Sequence, residues 1–174
     1  LDIYEASRAS FDEPWGEAVL ASELNSADDD IPRPPGQGGL VMPLASRRVG
    51  GDYQTYLAER SSVQEAFLSP TLLEEVTQGN AVVVDGFLSE DGLLLLYTID
   101  PEGDEEQGDL YFSVRDTVDE KFSTAQPIEG VNTAAEERDP WLSPDGETLY
   151  FVSDRDSEGD RDIYVARRVR SAMP

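Results

Sequence analysis

Four carboxylates alternate with other residues in Asp154-Arg-Asp-Ser-Glu-Gly-Asp160. Hard Ca²⁺ takes several oxygens converging within one turn, and Asp154, Asp156, Glu158 and Asp160 supply such a set, as in the first half of an EF-hand loop. The twelfth position, where a bidentate Glu closes that loop, holds Val165. The segment therefore reads either as a weak calcium site or as a solvated turn whose Arg155 and Arg161 relieve their neighbours. A second constellation is Asp30, Asp85 and Asp139, spaced by 55 and 54 residues. Carboxylates at one mouth of a channel can hold a cation or capture a basic peptide; alternatively, each accepts backbone N–H bonds and fixes a local turn. The acidic run 100–106 reads as a rim that attracts basic partners or as an edge-protecting solvated loop.

The rest of the composition narrows the chemistry. Among 174 residues, 37 carboxylates face 13 cations, giving a net charge of −24, with no His and no Cys. A nucleic-acid surface needs clustered Lys and Arg, which this balance denies. The same repulsion argues against anionic membranes. Without imidazole or thiol, neither a Ser-His-Asp nor a Cys-His nucleophile system can be assembled within the chain, and His or thiolate zinc sites are excluded. Only Lys121 among the cations is a lysine; the Arg bias reads as a solvated acidic surface without specific chemistry. The longest apolar run, 93–99, is far too short for a membrane-spanning helix. A start at Leu1 without Met or a leader pattern reads as a mature or excised piece of a longer product.

Positioning elements emerge from a repeat. Tyr4, Tyr56, Tyr111 and Tyr164 lie 52, 55 and 53 residues apart, each followed at the fourth position by Arg8, Arg60, Arg115 or Arg168. Seven residues beyond the first three arginines stand Trp15, Phe67 and Phe122; sixteen beyond stand Leu24, Val76 and Val131. Asp139-Pro-Trp-Leu-Ser-Pro-Asp-Gly146 aligns with Asp85-Gly-Phe-Leu-Ser-Glu-Asp-Gly92, and Asp30 opens a degenerate first copy that has lost the Ser and the second Asp. Asp-Gly between apolar runs is a hairpin signal, because Gly accepts positive φ and Asp bonds its own turn. Each period of about 53 residues holds four strand signals, which makes it an antiparallel propeller blade. At most one short helical turn fits in 13–24 or 71–77. Trp141 and Phe87 are expected to pack between blades, and Trp15, Phe67 and Phe122 to anchor outer strands.

The third copy, Asp139 to Arg155 followed by Asp162-Ile-Tyr-Val-Ala-Arg167, closely resembles the TolB-type β-propeller repeat, with WD-repeat-like four-stranded blades. The second copy is similar, with Ile99-Asp100-Pro101 where the third has Ser153-Asp154-Arg155. The resemblance implies an all-β propeller of six to eight blades, of which this chain holds three recognisable repeats after a leading partial blade: about 1–29, 30–84, 85–138 and an incomplete 139–174. Both ends offer the same strand of the repeat, so the chain is expected not to close a ring alone and to self-associate through open blade edges.

The leading functional expectation is a non-catalytic scaffold or protein-binding module, since a propeller offers a rigid face of loops. The resemblance implies a periplasmic or extracellular setting and a protein or peptide partner, which the acidic surface would favour as basic. An accessory gating propeller of a larger hydrolase, such as a serine peptidase, is the alternative, and a weak calcium- or sugar-binding propeller a third. No cofactor is expected beyond that Ca²⁺.

Overall fold

The structure is a computed structural model and describes residues 1–77, 79–101, 107–156 and 160–168. Its regular structure is almost wholly β. A two-stranded sheet of β1 (Tyr4–Glu5) and β2 (Val19–Leu20) comes first. A four-stranded sheet follows, ordered β3 (Asp30–Pro32), β4 (Val41–Ser46), β5 (Gln54–Glu59), β6 (Thr71–Leu72). The next is β7 (Val82–Leu88), β8 (Leu94–Asp100), β9 (Asp109–Val114), β10 (Gln126–Pro127). The last has three strands, β11 (Glu137–Leu142), β12 (Thr148–Ser153) and β13 (Asp162–Arg167). All pairings are antiparallel between sequence neighbours, which is the meander of a propeller blade. The one helical turn among the described residues is a 3₁₀ turn at Gln37–Gly39, outside both segments where the sequence allowed it.

Successive sheets pack face to face, so that each of the two inner sheets is covered on both sides. Ile3 and Leu24 of the first unit pack on Leu44, Tyr56 and Phe67 of the second. Val41 joins Val83, Leu95 and Tyr97 between the second and third. Leu96, Leu110 and Val131 meet Leu149 and Phe151 between the third and last. Tyr97, opposite the repeat's Tyr111 across β8 and β9, is fully buried, its hydroxyl bonded to Ser113 at 2.7 Å, and burial pushes its pKa up to about 12.

The arginine column staples each blade's outer edge. Arg60 stacks 4.3 Å from the centroid of Phe67 while its Nε donates to the Gly39 carbonyl; Arg115 does the same over Phe122 at 4.5 Å and onto Gly92. Arg8 lies over Phe11 and Trp15. The aromatic seven residues on is thus the ring under the guanidinium, an arrangement that needs the planar Arg group. The Arg bias, expected to carry no specific role, is structural in these positions.

The Ser-x-Asp-Gly turns form as the motif requires. Ser89 Oγ donates to Asp91 Oδ1 at 2.6 Å, Leu93 N–H donates to the same oxygen, and Leu94 N–H donates to Ser89 Oγ; Ser143, Asp145, Glu147 and Thr148 repeat the set. These bonds hold the Asp91 carboxyl below its ordinary pKa. In the degenerate copy Gly36 to Gly39 replaces this turn, and the chain leans on the next blade: Gln37 N–H donates to Ser89 O at 3.2 Å. A Cβ on Gly36 would stand 2.7 Å from that carbonyl oxygen. Close backbone approach explains why only glycine serves there.

Candidate functional site

The candidate site lies where the Asp-Gly turns of successive blades converge. A groove of about 900 Å³ is walled by Pro34 and Pro35 from the second sheet, Phe87 and Leu94 from the third and Trp141 from the last. Glu90, Asp91 and Asp145 stand on its rim. Phe87 meets Trp141 edge-on at 6.4 Å, and Tyr150 backs the indole at 5.5 Å. Trp141, expected to be buried between blades, is 44% exposed. Phe87 and Tyr150 flank the ring, which lines the groove; the register Trp141↔Tyr150 puts both side chains on one face of the sheet.

Beneath the groove the innermost strands carry a charged network. Asp85 and Asp139 both adopt positive φ, 60° and 50°, at the register shifts of β7 and β11. Each of these bulges places one residue in the left-handed region, which Asp tolerates better than most. Backbone geometry thus selects an Asp, whose carboxylate is then available inside. Arg33 bridges the two, bonding Asp139 Oδ1 at 2.7 Å through Nη1 and Asp85 through Nη2. The Asp85 side chain is only 8% exposed. Arg138 lies 3.6 Å from its other oxygen and reaches Asp100 at 2.7 Å and Glu136; Arg161 Nε meets Glu136 at 2.7 Å. Burial lowers the Arg138 pKa, but the Glu136 and Asp100 bonds outweigh it and raise it above the ordinary arginine value.

Asp30, placed by its spacing with Asp85 and Asp139, occupies another site. It pairs across the sheet with Ser46, as Glu137 pairs with Ser153, so its register partner is Glu137 and not Asp139. The degenerate first turn hid a two-residue shift. The two clusters match bond for bond: Arg48 Nη2 reaches Asp30 at 2.8 Å and Leu24 O, while Arg155 Nη2 reaches Glu137 at 2.9 Å and Val131 O. Ser26 and Thr133 donate to the respective carboxylates through N–H and hydroxyl. Burial raises the Asp30 pKa, yet the Ser46, Arg48 and Ser26 bonds outweigh it and hold it below the ordinary value. In the third sheet the equivalent pair is Val83 and Ile99, so one blade solves the same position with hydrocarbon.

Of the proposed calcium ligands, Asp154 Oδ1 accepts the Glu136 N–H at 3.0 Å and Asp156 accepts the Tyr164 hydroxyl at 2.9 Å. Asp160 is exposed, and Glu158 lies outside the described residues. Arg155 and Arg161, the alternative source of relief for this loop, pair with Glu137 and Glu136. Among the described residues no group of three or more acidic side chains is placed to hold a metal. Within the acidic run 100–106, Asp100 joins the charged network while 102–106 lie outside the described residues.

The sequence reading did not single out Arg33, Arg138, Glu136 or Glu137. Arg33 carried a signal: its N–H bonds Pro43 O, putting it opposite Pro43 in the register where Phe87 faces Leu96 and Trp141 faces Tyr150. A cation in an aromatic column marks a changed environment.

No family model matches the sequence, and no curated protein matches it. Among solved structures, the chain is similar to TolB from Acinetobacter baumannii at 17% identity, covering 87% of this chain and 32% of that one with a TM-score of 0.57. It is also similar to the putative TolB from Agrobacterium tumefaciens at 15% identity, covering 94% of this chain and 56% of that one, TM-score 0.60. The chain thus spans about a third and somewhat over half of their lengths. The fold is that of a TolB-like β-propeller, here as four successive antiparallel sheets.

Proposed function

We propose that this chain is a non-catalytic, protein-binding propeller module of the cell envelope, and that it takes a peptide segment of its partner in the groove between the Asp-Gly turns. The observation that carries the reading is the pairing of an apolar, aromatic wall, Phe87, Leu94 and Trp141 with two prolines, and a rim of Glu90, Asp91 and Asp145. Such a site favours a side chain of hydrocarbon or aromatic character flanked by Lys or Arg. Rigid turns hold the groove open before binding, which lowers the ordering cost of association. A sequence without His or Cys supports a binding role over nucleophilic catalysis. The envelope setting rests on the likeness to the TolB structures. No helix among the described residues is long and apolar enough to cross a membrane.

Selection of displayed random peptides on the folded chain tests this. Enriched peptides should carry an aromatic or branched apolar residue next to Lys or Arg, and lose binding at least about tenfold, or 1.4 kcal/mol, to Phe87→Ser/Trp141→Ser. Peptides that bind that variant equally well would remove the groove from the function.

A further inference from the structure

The turns that wall the groove offer a ligand side-chain surface in place of backbone partners. The N–H groups of Ser89, Gly92, Leu93 and Leu94 are engaged inside their own turn, by Leu94 O, Ser89 O, Asp91 Oδ1 and Ser89 Oγ. Ser143, Gly146, Glu147 and Thr148 repeat the set. Pro34, Pro35 and Pro144, which also line the groove, carry no N–H at all. A β-strand laid across these turns finds their donors already taken. A segment in the polyproline II conformation has no such need, because its backbone stays solvated and its side chains alone meet an aromatic-lined surface.

The second blade supplies an example within the chain itself. In Pro32-Arg33-Pro34-Pro35 the last two prolines line the groove, while the Arg33 guanidinium meets Asp139 of the last blade at 2.7 Å and Asp85 of the third. Prolines on the apolar wall and a guanidinium on carboxylates of neighbouring blades are thus compatible with this surface. We propose that the segment taken in the groove is proline-rich, a polyproline II stretch whose apolar residues are joined to prolines and flanked by Arg. This rests on the peptide-binding reading above and names the kind of segment. Its apolar residues pack on Phe87, Leu94 and the Pro34–Pro35 edge, and its arginine meets Glu90, exposed on the rim beside Asp91. Arg serves better than Lys because its planar fork matches a carboxylate. Proline restricts the free peptide in advance, which lowers the ordering cost of binding.

The test uses the full chain carrying Trp15→Phe. This keeps a ring under Arg8, as Phe67 and Phe122 lie under Arg60 and Arg115, and leaves Trp141 as the one indole. Trp141 fluorescence is followed at about 0.15 M salt during titration with end-capped synthetic peptides. The first is Arg-Pro-Leu-Pro-Pro-Leu-Pro-Arg, the second has Ala at every proline, and the third has Gln at every arginine. The first should shift Trp141 emission saturably below about 1 mM. The Ala peptide, with the same leucines and charge, should bind at least about tenfold more weakly. The Gln peptide should bind at least about threefold more weakly, with a smaller salt dependence. Glu90→Arg, a change at an exposed side chain, should weaken the first peptide and leave the Gln peptide unaffected. The proposal is overturned if the first peptide leaves Trp141 unchanged, if the Ala peptide binds as tightly, or if Glu90→Arg does not discriminate the Arg and Gln peptides. The broader peptide-binding reading is judged separately, by whether peptides selected from the random library depend on Phe87 and Trp141.

Discussion

The buried cluster of Glu137, Ser153 and Arg155 permits a stability test whose control is built into the same chain. Arg155→Met removes the guanidinium that meets Glu137 at 2.9 Å, while the flexible thioether keeps contact with Phe151 and Tyr164, over which Arg155 now lies. Glu137 has no solvent exposure, so its charge stays buried. Breaking a buried ion pair from one side costs about 3–5 kcal/mol. Three bonds remain to that carboxylate, from Thr133 N–H at 2.9 Å, Thr133 hydroxyl at 2.7 Å and Ser153 hydroxyl at 3.0 Å, which places the loss near the low end. Glu137→Val alone leaves an arginine partly open to water and two hydroxyls seeking partners, a milder loss of about 1–3 kcal/mol.

The triple variant Glu137→Val/Ser153→Ile/Arg155→Met should behave differently. It installs the Val83–Ile99 pairing that the third sheet already uses at this register. Replacing a whole buried ionic set by packed hydrocarbon is often neutral or stabilising, so the triple should lie within about 1 kcal/mol of wild type or above it. Urea unfolding at neutral pH reads the difference through the midpoint at constant slope. For a chain of this size 1 kcal/mol moves the melting temperature by about 2–4 °C, so Arg155→Met alone should melt about 6–12 °C lower. If the triple falls as far as Arg155→Met, the cluster is not an exchangeable alternative to the apolar pair, and the reasoning fails.

Three further outcomes are expected. Arg33→Ala should destabilise by about 2–4 kcal/mol, below the full buried-pair cost because Arg33 and Asp139 are partly exposed, and adding Asp85→Asn should recover part of the loss; a purely additive double variant would show that Arg33 does not serve the Asp85 charge. Asp30→Asn should destabilise near neutral pH and cease to matter in acid. The folded Asp30 pKa is lowered, so its stabilisation is present above the unfolded value near 3.9 and lost as pH falls through the folded value; a deficit that persists unchanged in acid would point to shape and not charge. Calcium should raise the melting temperature no more than magnesium at matched ionic strength, because Asp154 and Asp156 already hold Glu136 N–H and the Tyr164 hydroxyl; a rise specific to calcium would restore the loop as a metal site.

The β architecture was legible because it repeats. Tyrosine spacing, the Arg four residues on and the Asp-Gly turns mark local geometry that one period imposes on the next. β12, Thr148–Ser153, follows the Asp145-Gly146 turn as the hairpin signal requires, and the Arg-over-aromatic staples occupy the matching columns. What failed did so where the period is broken. Asp30 was aligned by residue type across a turn that had lost its Ser and Asp, and the alignment slipped by two. Trp141 was read as interior from its equivalence to Phe87, although equivalence in register fixes only the direction of a side chain and not what covers it. The charged network was invisible because its members sit far apart in sequence: Arg33 and Asp139 are 106 residues apart and meet only once the inner strands converge.

The same network accounts for the composition that first suggested a featureless acidic surface. Arg33, Arg48, Arg138, Arg155 and Arg161 are committed to partly or fully buried carboxylates, and Arg8, Arg60 and Arg115 lie on aromatic rings. These tasks need a planar, multidentate cation, which accounts for eight of the twelve arginines among the thirteen basic residues. Lys121, the exception, makes an exposed pair with Glu75, where a point charge suffices. Because five of the thirteen cations are paired in this network with Asp30, Asp85, Asp100, Asp139, Glu136 and Glu137, the remaining surface is left to carboxylates more completely than the ratio of 37 to 13 conveys. On the proposed reading, a partner approaching the turn side meets Glu90, Asp91 and Asp145 on the rim of the groove that Phe87 and Trp141 line. Charge then governs the encounter and the aromatic wall the lifetime of the complex, so substitutions on the rim should alter the association rate and its salt dependence, and substitutions in the wall the dissociation rate.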